Sequence, residues 1–274
     1  MSILHAIILG LIQGLSEFLP ISSSGHLILA REVFGWKIGS AEIEKTFDVA
    51  LHLGTFIGIA AYFWKDIGRL IRGFFKAIVK RSLAADPYSK LALLVLISTI
   101  PAGVLGIKGE ALIEQKLGAP LMICGLLIGF GILMGLADWM GKKARELNSV
   151  GWSEAIIIGL AQAIALAPGT SRSGVTMTAG LFLGLKRETA ARYSFLISLP
   201  VIGGAALYKG AKLMHTGLPA DLGGPMLAGT LAAAVSGLFA IYWLLRYLQS
   251  HSLLPFVIYR VVVAVGVGLL FLLR

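Results

Sequence analysis

Residues 10–27 read GLIQGLSEFLPISSSGHL, and residues 159–176 read GLAQAIALAPGTSRSGVT. Each stretch starts as an apolar helix, meets a proline at Pro20 or Pro168, and passes through serine and glycine into a second apolar stretch. Proline stops a helix because it has no amide proton and its ring clashes with the preceding turn. The sequence therefore predicts two broken helices, each with a polar turn in its middle.

The composition places both breaks in a membrane protein. Of the 274 residues, 57% are hydrophobic and 14% are charged, and the mean hydropathy is +0.85. Soluble domains average about 45–50% apolar and about 25% charged residues, so a soluble enzyme, a disordered chain and a secreted disulfide scaffold are excluded. Non-helical backbone at membrane depth is tolerated only where it is buried in protein or lines a wet cavity. We therefore expect the functional site at the breaks.

Six further apolar stretches can cross a bilayer, which takes about 20 residues of helix. They cover residues 47–64, 91–107, 119–141, 190–208, 225–247 and 255–273, while the broken segments 2–34 and 153–187 form two re-entrant helical hairpins. The sequence thus predicts an all-α polytopic membrane protein with a single membrane domain over residues 1–274.

The two broken segments resemble each other at an offset of 149 residues. The matched pairs join Gly10, Leu11, Gln13, Ser22, Ser24 and Gly25 to Gly159, Leu160, Gln162, Ser171, Ser173 and Gly174. Each half of the chain, 1–141 and 153–274, then contains one hairpin and three spans. Because three is odd, the second half must lie upside down relative to the first. This predicts inverted-topology repeats, an arrangement that brings two hairpin tips together.

The net charge of +10 is explained by topology. Under the six-span arrangement 14 of the 24 Lys and Arg residues fall on one side, and ten of these lie in the loops 65–90 and 142–153. Basic loops face the cytoplasm and are compatible with contact to anionic lipid, so no nucleic-acid partner is predicted. Arg172 and Arg260 differ, because they fall within apolar sequence.

The first break gathers several polar side chains. Gln13 and Glu17 are four residues apart and share a helix face. Ionisable groups inside a membrane cost about 2.5–3.5 kcal/mol on insertion scales, which marks them as functional. The Glu17 carboxylate could hold Mg²⁺ or Ca²⁺ against an anion or pair with Arg172, and the sequence leaves both open.

The turn at residues 20–26 predicts an anion site. Hydroxyls of Ser22, Ser23 and Ser24 join the free N–H groups at the start of the next helix. Serines here often serve only as helix caps. His26 follows Ser23 by three residues, however, and the two side chains can come within hydrogen-bond reach as an activated nucleophile and its base. This favours a catalytic role for His26.

The second turn surrounds Arg172 with small and hydroxyl-bearing residues. Gly169 permits close approach of the backbone, and the guanidinium of Arg172 is a bidentate donor suited to phosphate. The hydroxyl groups belong to Ser171, Ser173 and Thr176. This setting favours a phosphate cradle over a salt bridge to Glu17 that only joins the hairpins.

Three residues outside the breaks are further candidates. Arg260 is either a second phosphate clamp or the partner of an acidic group. Asp48 and His52 form an i, i+4 pair at the start of a span and are candidates for contacts behind the site.

The pattern Gln13-x-x-x-Glu17 followed by FLPISSSGH, together with PGTSRSGVT at 168–176, resembles the undecaprenyl-pyrophosphate phosphatases of the bacterial bacitracin-resistance family. The likeness covers nearly the whole chain. It implies a multi-pass enzyme of the bacterial inner membrane whose site is open to the periplasm. Such enzymes hydrolyse undecaprenyl pyrophosphate to undecaprenyl phosphate and inorganic phosphate, which recycles the lipid carrier for peptidoglycan and other envelope polymers.

The resemblance also implies residue roles and a divalent cation, Mg or Ca. The family's functional residues fall on Glu17, Ser23, His26 and Arg172, with Gln13 at the first position of its (Glu/Gln)-x-x-x-Glu motif. Glutamine there removes one carboxylate, which argues against a strict two-carboxylate metal site. The nucleophile stays open between Ser23, His26 and water.

The implied partners are a polyprenyl pyrophosphate substrate and membrane lipids. Glycines in the 119–141 span fit either a homodimer or packing within one chain; they are Gly125, Gly129, Gly131 and Gly135. An alternative function is a transporter or flippase of an anionic substrate such as a lipid phosphate, alone or beside hydrolysis. The Glu, Ser and His at one tip favour an enzyme, because transport needs binding groups but no proton carrier.

Overall fold

A computed structural model of the chain describes residues 1–36, 39–216 and 222–273. For residues 41, 107, 108, 110, 111, 114 and 209–216 it describes the backbone alone. Within these ranges the chain forms eleven α-helices and no β-strand, which confirms the all-α membrane fold. The helices are α1 Ile3–Phe18, α2 Ser23–Phe34, α3 Ala41–Tyr62, α4 Trp64–Lys80, α5 Ser89–Leu117, α6 Pro120–Met140, α7 Trp152–Ile164, α8 Arg172–Phe182, α9 Arg187–Thr216, α10 Gly223–Tyr247 and α11 Leu254–Leu273.

The two breaks have the same local geometry. Helix α1 ends before Pro20 and α7 ends before Pro168, as the missing amide proton requires. The residues just before the second helices, Ser22 and Ser171, have φ values of 79° and 72°. Non-glycine residues rarely adopt positive φ, and doing so costs on the order of 1–3 kcal/mol. Each turn therefore holds a serine in a strained conformation that the surrounding contacts must stabilise.

The halves of the chain pack crosswise through their broken helices. Helix α1 lies against α10, and α7 lies against α5. Both contacts are close because they use glycine: a Cβ on Gly10 would lie 2.3 Å from the Gly229 carbonyl oxygen, and one on Gly159 would lie 2.8 Å from Ser98. Gly10 and Gly159 are a matched pair of the sequence repeat. The upside-down relation of the two halves in the membrane stays a prediction.

Five helices, α5, α6, α9, α10 and α11, are individually long and apolar enough to cross a membrane. Helices α3 and α4 count together as a sixth candidate span, with a bend of 79° between their axes. The stretch 65–90, expected as a loop, therefore contains most of α4, a helix of 17 residues that begins at Trp64. Its charges obscured an apolar stripe at helical spacing, which includes Trp64, Ile71 and Phe75.

Buried aromatic side chains hold the end of α1 in place at the first break. Phe18, next to Glu17, packs edge to face on Phe195 of α9 with ring centroids 5.6 Å apart. Phe63, at the bend between α3 and α4, contacts the same ring at 6.3 Å. All three side chains are almost fully buried. Because buried aromatic pairs have defined geometry, they hold the end of α1 at a set position.

Candidate active site

Glu17 lies at the centre of a hydrogen-bonded cluster. Its Oε1 accepts from Nη2 of Arg172 at 2.7 Å, and its Oε2 accepts from Ser23 Oγ at 2.6 Å and from Gln13 Nε2 at 3.0 Å. The Glu17 side chain is 8% exposed. Nε2 of His52 lies 3.9 Å from the same Oε2. A buried carboxylate with three donors is fixed in position, with the Ser23 hydroxyl as one of these donors.

The ion pair with Glu17 uses only one of the two terminal nitrogens of Arg172. The residue opens α8, so its main chain lies at a helix N-terminus, where anions are favoured. Its second terminal nitrogen, Nη1, is buried and makes no hydrogen bond in the described part of the chain. A buried guanidinium N–H without a partner is costly. The unused donor is therefore available to an anionic ligand, and both earlier interpretations of Arg172, cradle and salt bridge, fit the geometry.

Ser23 and His26 do not contact each other, contrary to the expectation from their spacing. Ser23 donates to Glu17 instead. The His26 ring has its Nδ1 2.8 Å from the main-chain oxygen of Ser22 and its Nε2 3.0 Å from the hydroxyl of Tyr259. These two contacts occupy both ring nitrogens, so neither is hydrogen-bonded to Ser23. The Glu17 carboxylate, rather than the imidazole, is the basic group to which Ser23 is hydrogen-bonded.

The tips of the two hairpins touch directly. The amide of Gly169 donates to Ser22 Oγ at 3.1 Å, and Ser173 Oγ donates to the carbonyl oxygen of Leu19 at 3.0 Å. The ion pair of Glu17 with Arg172 is a third link between the tips. The starts of α2 and α8 are thus held side by side, with serine hydroxyls and N–H groups of both helices at one place.

Comparison of the sequence with known proteins identifies the family. The family model described as bacitracin resistance protein BacA matches residues 6–266. The chain belongs to this family. It is 48% identical over 263 residues to the undecaprenyl-diphosphatase of Pelobacter propionicus, covering 96% of this chain and 94% of the relative. It is 46% identical to that of Trichlorobacter lovleyi over 97% of this chain and 96% of the relative. It is 45% identical to that of Hahella chejuensis over 97% of each chain.

Arg260 of this BacA-family chain donates its hydrogen bonds to main-chain carbonyl oxygens. The residue is 0% exposed. It donates to the carbonyl oxygens of Pro20 at the first tip, of Gly169 and Thr170 at the second, and of Leu127 in α6, at 2.8–3.2 Å. These contacts make it an organiser of both turns, as no acidic partner is among them. Direct contact of Arg260 with substrate stays a prediction.

The remaining hydroxyls of the site divide by their contacts. Ser171 Oγ accepts from the Gly174 amide at 3.1 Å and so caps α8. Thr176 Oγ1 donates to the Arg172 carbonyl at 2.7 Å and lies 2.7 Å from Ser194 Oγ, which supports the helix that carries Arg172. The Ser24 hydroxyl is half-buried and has no hydrogen bond among the described residues. Ser24 is therefore the hydroxyl freest to bind a ligand.

A divalent cation fits the site only with help from the substrate. No three His, Cys, Asp or Glu side chains come together within residues 1–36, 39–216 and 222–273. Glu17 offers carboxylate oxygens, and the buried Gln13 Oε1 lacks a partner in the described chain. Mg²⁺ is commonly bound by one or two protein carboxylates together with phosphate oxygens. These two side chains suit that mode of binding.

Asp48 and His52 lie behind the carboxylate, as their spacing suggests. Asp48 forms a two-pronged ion pair with Arg31, with Arg31 Nη1 3.0 Å from Oδ2. Nδ1 of His52 lies 2.8 Å from the Asp48 carbonyl oxygen, which turns the opposite ring nitrogen toward Glu17. The contacts connect α2 to α3 and place a second basic side chain beside the site.

Tyr259 is a site residue that sequence reasoning missed. Its hydroxyl contacts His26 Nε2, and the two rings stack with centroids 5.5 Å apart. It lies 233 positions from His26, next to Arg260. A tyrosine in an apolar helix is ordinarily a packing or interface residue. Its adjacency to a buried arginine was the one sequence signal that pointed to the site.

Proposed function

We propose that the protein is an undecaprenyl-diphosphatase, which hydrolyses undecaprenyl pyrophosphate to undecaprenyl phosphate and inorganic phosphate. The single observation that carries the proposal is the Ser23–Glu17–Arg172 chain, in which a hydroxyl, its base and a guanidinium with a free N–H lie together. Relatives over nearly the full length are named for this activity. The transporter alternative gains no support from either source.

Binding of the pyrophosphate rests on charge. Phosphoryl transfer is catalysed mainly by positioning and by neutralising the phosphate oxygens. Arg172 supplies a buried positive charge and the free Nη1. The N-termini of α2 and α8 add main-chain N–H groups and the positive ends of two helix dipoles. Ser24 provides a hydroxyl beside them, in a role that the sequence predicts, whereas the buried Ser173 hydroxyl donates to the carbonyl oxygen of Leu19 and joins the two tips.

The reaction follows from the bond between Ser23 and Glu17. The Ser23 oxygen attacks the terminal phosphorus while its proton passes to Glu17 Oε2, 2.6 Å away. The bond from phosphorus to the bridging oxygen breaks, and undecaprenyl phosphate leaves with the electron pair. Water then hydrolyses the phosphoserine and releases inorganic phosphate, and the proton returns to Ser23. His26, oriented by Ser22 and Tyr259, is a polar neighbour that positions the attacking water or the leaving oxygen.

A divalent cation would be held by Glu17 and Gln13 Oε1 together with the substrate. When bound, it would neutralise phosphate oxygens as a Lewis acid. Arg172 already neutralises Glu17, so the protein groups carry no excess negative charge that would demand a metal. We therefore expect the protein to stay folded in EDTA, and a lower rate there would indicate a cation that binds with the substrate.

We infer that the enzyme resides in the bacterial inner membrane with its site open to the periplasm. The basic residues of 65–90 and 142–153 support this orientation, because such loops face the cytoplasm. Gly125 and Gly129 of α6 face open space, which leaves a surface for a second copy in a homodimer. Accessibility of single cysteines at Lys116 and Lys142 to an impermeant reagent on whole cells tests the orientation.

The activity is tested by phosphate release from purified protein with undecaprenyl pyrophosphate, with and without EDTA. We expect release by the unchanged protein and none by Ser23→Ala, Glu17→Ala or Arg172→Ala, each folded in detergent. Trapping a phosphorylated enzyme separates the nucleophiles, since phosphoserine survives acid and phosphohistidine survives base. Label on His26, or none in a competent trap, would refute the serine mechanism; no release by the unchanged protein would refute the function.

A further inference from the structure

Helix α4 leaves the direction of the spanning helices. It follows α3 after the single residue Phe63, and the two axes differ by 79°. If α3 crosses the bilayer, α4 must lie along the membrane surface. Helices in that position bury an apolar face at the boundary between headgroups and acyl chains and carry basic residues beside it.

One side of α4 packs on the protein and another is apolar and bare. Gly73 faces Tyr88, where a Cβ would lie 2.7 Å from the main chain, and Ala77 is buried. Trp64, Phe75 and Val79 instead expose 66%, 60% and 80% of their surface, and Ile71 and Ile78 extend this strip. Tryptophan is typical of the membrane interface. Contact of this apolar strip with water would be unfavourable, and the strip lies outside the packed core.

A basic flank runs beside the strip. At spacings of three and four residues it contains Lys65, Arg69, Arg72, Lys76 and Lys80. These spacings place side chains on one face of a helix. Basic residues beside a lipid-facing strip point into the headgroup region, where each gains about 1 kcal/mol from an anionic surface.

Two of these five cations already have partners. Lys76 contacts Asp86 at 2.9 Å, and the pKa of Asp86 is held below its usual range by the Tyr88 N–H and by Lys76, so the pair stays charged. Arg69 donates to the Tyr88 hydroxyl at 3.1 Å. Asp66, the acidic residue on α4, is engaged by Arg192 of α9 at 2.8 Å.

Lys65, Arg72 and Lys80 remain without an ion pair in the described part of the chain, and all three are exposed. Lys65 only rests over the ring of Trp64, 5.5 Å from its centroid. Three exposed cations without an ion pair, at helical spacing, therefore border an uncovered apolar strip. The partner must supply anionic groups and an apolar phase at adjacent depths, which a lipid leaflet does and an acidic peptide or nucleic acid does not.

We propose that Lys65, Arg72 and Lys80 bind the phosphate headgroups of anionic phospholipids while the strip from Trp64 to Val79 lies among their acyl chains. The helix is then a lipid-recognition element fixed to α9 through Asp66 and Arg192, separate from the hydrolytic site. Its ligand class is the anionic diacyl phospholipid, represented by phosphatidylglycerol.

Trp64 is a built-in reporter for this test. The chain has five tryptophans, and replacing Trp36, Trp139, Trp152 and Trp243 by Phe leaves Trp64 alone. The full-length protein is reconstituted in vesicles that contain either brominated phosphatidylglycerol or brominated phosphatidylcholine at equal mole fraction. Quenching of Trp64 fluorescence gives the relative association constant of the two lipids at α4.

We expect phosphatidylglycerol to be preferred by about five-fold at low salt, the equivalent of one well-placed cation. The preference should fall toward equality in 1 M salt, where the Debye length is about 3 Å, and in the variant Lys65→Gln, Arg72→Gln, Lys80→Gln. Arg72→Gln alone should lower it in part, and it serves if the triple variant does not fold. Lys116→Gln, at the end of α5, is the matched control and should change nothing. Equal quenching by both lipids in the unsubstituted helix, or a preference that salt and the charge variants leave intact, would overturn the proposal.

Discussion

Replacing Glu17 by glutamine removes one charge and almost no volume. The amide can keep the hydrogen bond from Ser23 at its single oxygen, Oε1, but cannot take its proton. General-base catalysis contributes about 10²- to 10⁴-fold, so kcat should fall by that range. Loss of the counter-ion leaves Arg172 buried and unpaired, which costs on the order of 3–5 kcal/mol of stability. We therefore expect a lower melting temperature in detergent together with the loss of turnover.

The same change should strengthen anion binding. With Glu17 neutral, Arg172 presents its whole charge to phosphate at a buried position, where a charge pair is worth several kcal/mol at most. A tenfold tighter inhibition by inorganic phosphate needs only about 1.4 kcal/mol of this. The opposite sign is expected if Glu17 mainly holds a divalent cation, because phosphate would then lose the cation that binds it.

The assay is phosphate release and its inhibition by added phosphate, measured on purified protein. Glu154→Gln is the matched control, since Glu154 is partly buried and pairs with Arg145 at 2.6 Å, away from the site. That variant should lose stability but keep kcat. If Glu17→Gln turned over at the normal rate, the base assignment would fail, and weaker phosphate inhibition would refute the charge argument.

Arg172→Lys keeps the charge but loses the planar fork that lets one nitrogen bind Glu17 while Nη1 binds the ligand. The value of kcat/KM should therefore drop about 10²- to 10³-fold, as for loss of one preorganised donor; an effect that comes only from a higher KM, with kcat kept, would contradict this. Tyr259→Phe should lower kcat several-fold and shift its pH profile while KM is kept, because only the contact to the His26 ring is lost; an unchanged profile would remove Tyr259 from the site. Gly14→Ala should destabilise the protein by about 1–3 kcal/mol, since its Cβ would meet α10 within 2.0 Å. Gly129→Ala, which faces open space, should be neutral or slightly stabilising, and equal melting temperatures would refute the packing argument.

The sequence revealed the breaks because their chemistry is local. Pro20 and Pro168 stop a helix wherever they occur, and the Ser-x-Ser-Gly match at Ser22 and Ser171 extends to the strained φ of both serines. The pairing of Glu17 with Arg172 was one of two open interpretations. Buried opposite charges on two adjoining tips have few other partners, and this made it predictable.

Other features depended on side-chain direction, which spacing does not determine. Ser23 and His26 are three residues apart, yet the first residue of a helix and the fourth can turn to opposite neighbours. Arg260 was expected at phosphate or at a carboxylate, and main-chain carbonyls were not considered because a sequence does not display them. Helix α4 was overlooked because its cations outweighed the apolar stripe between them.

The hydrogen bonds of Arg260 constrain the order in which the enzyme folds during its synthesis. The tip that contains Pro20 precedes Arg260 by 240 residues, and the tip with Thr170 precedes it by 90. Both turns therefore leave the ribosome with their carbonyl groups unpaired and await a side chain from the last helix. We therefore expect hydrolysis to begin only after α11 has been inserted, and chains that end before α11 to be inactive.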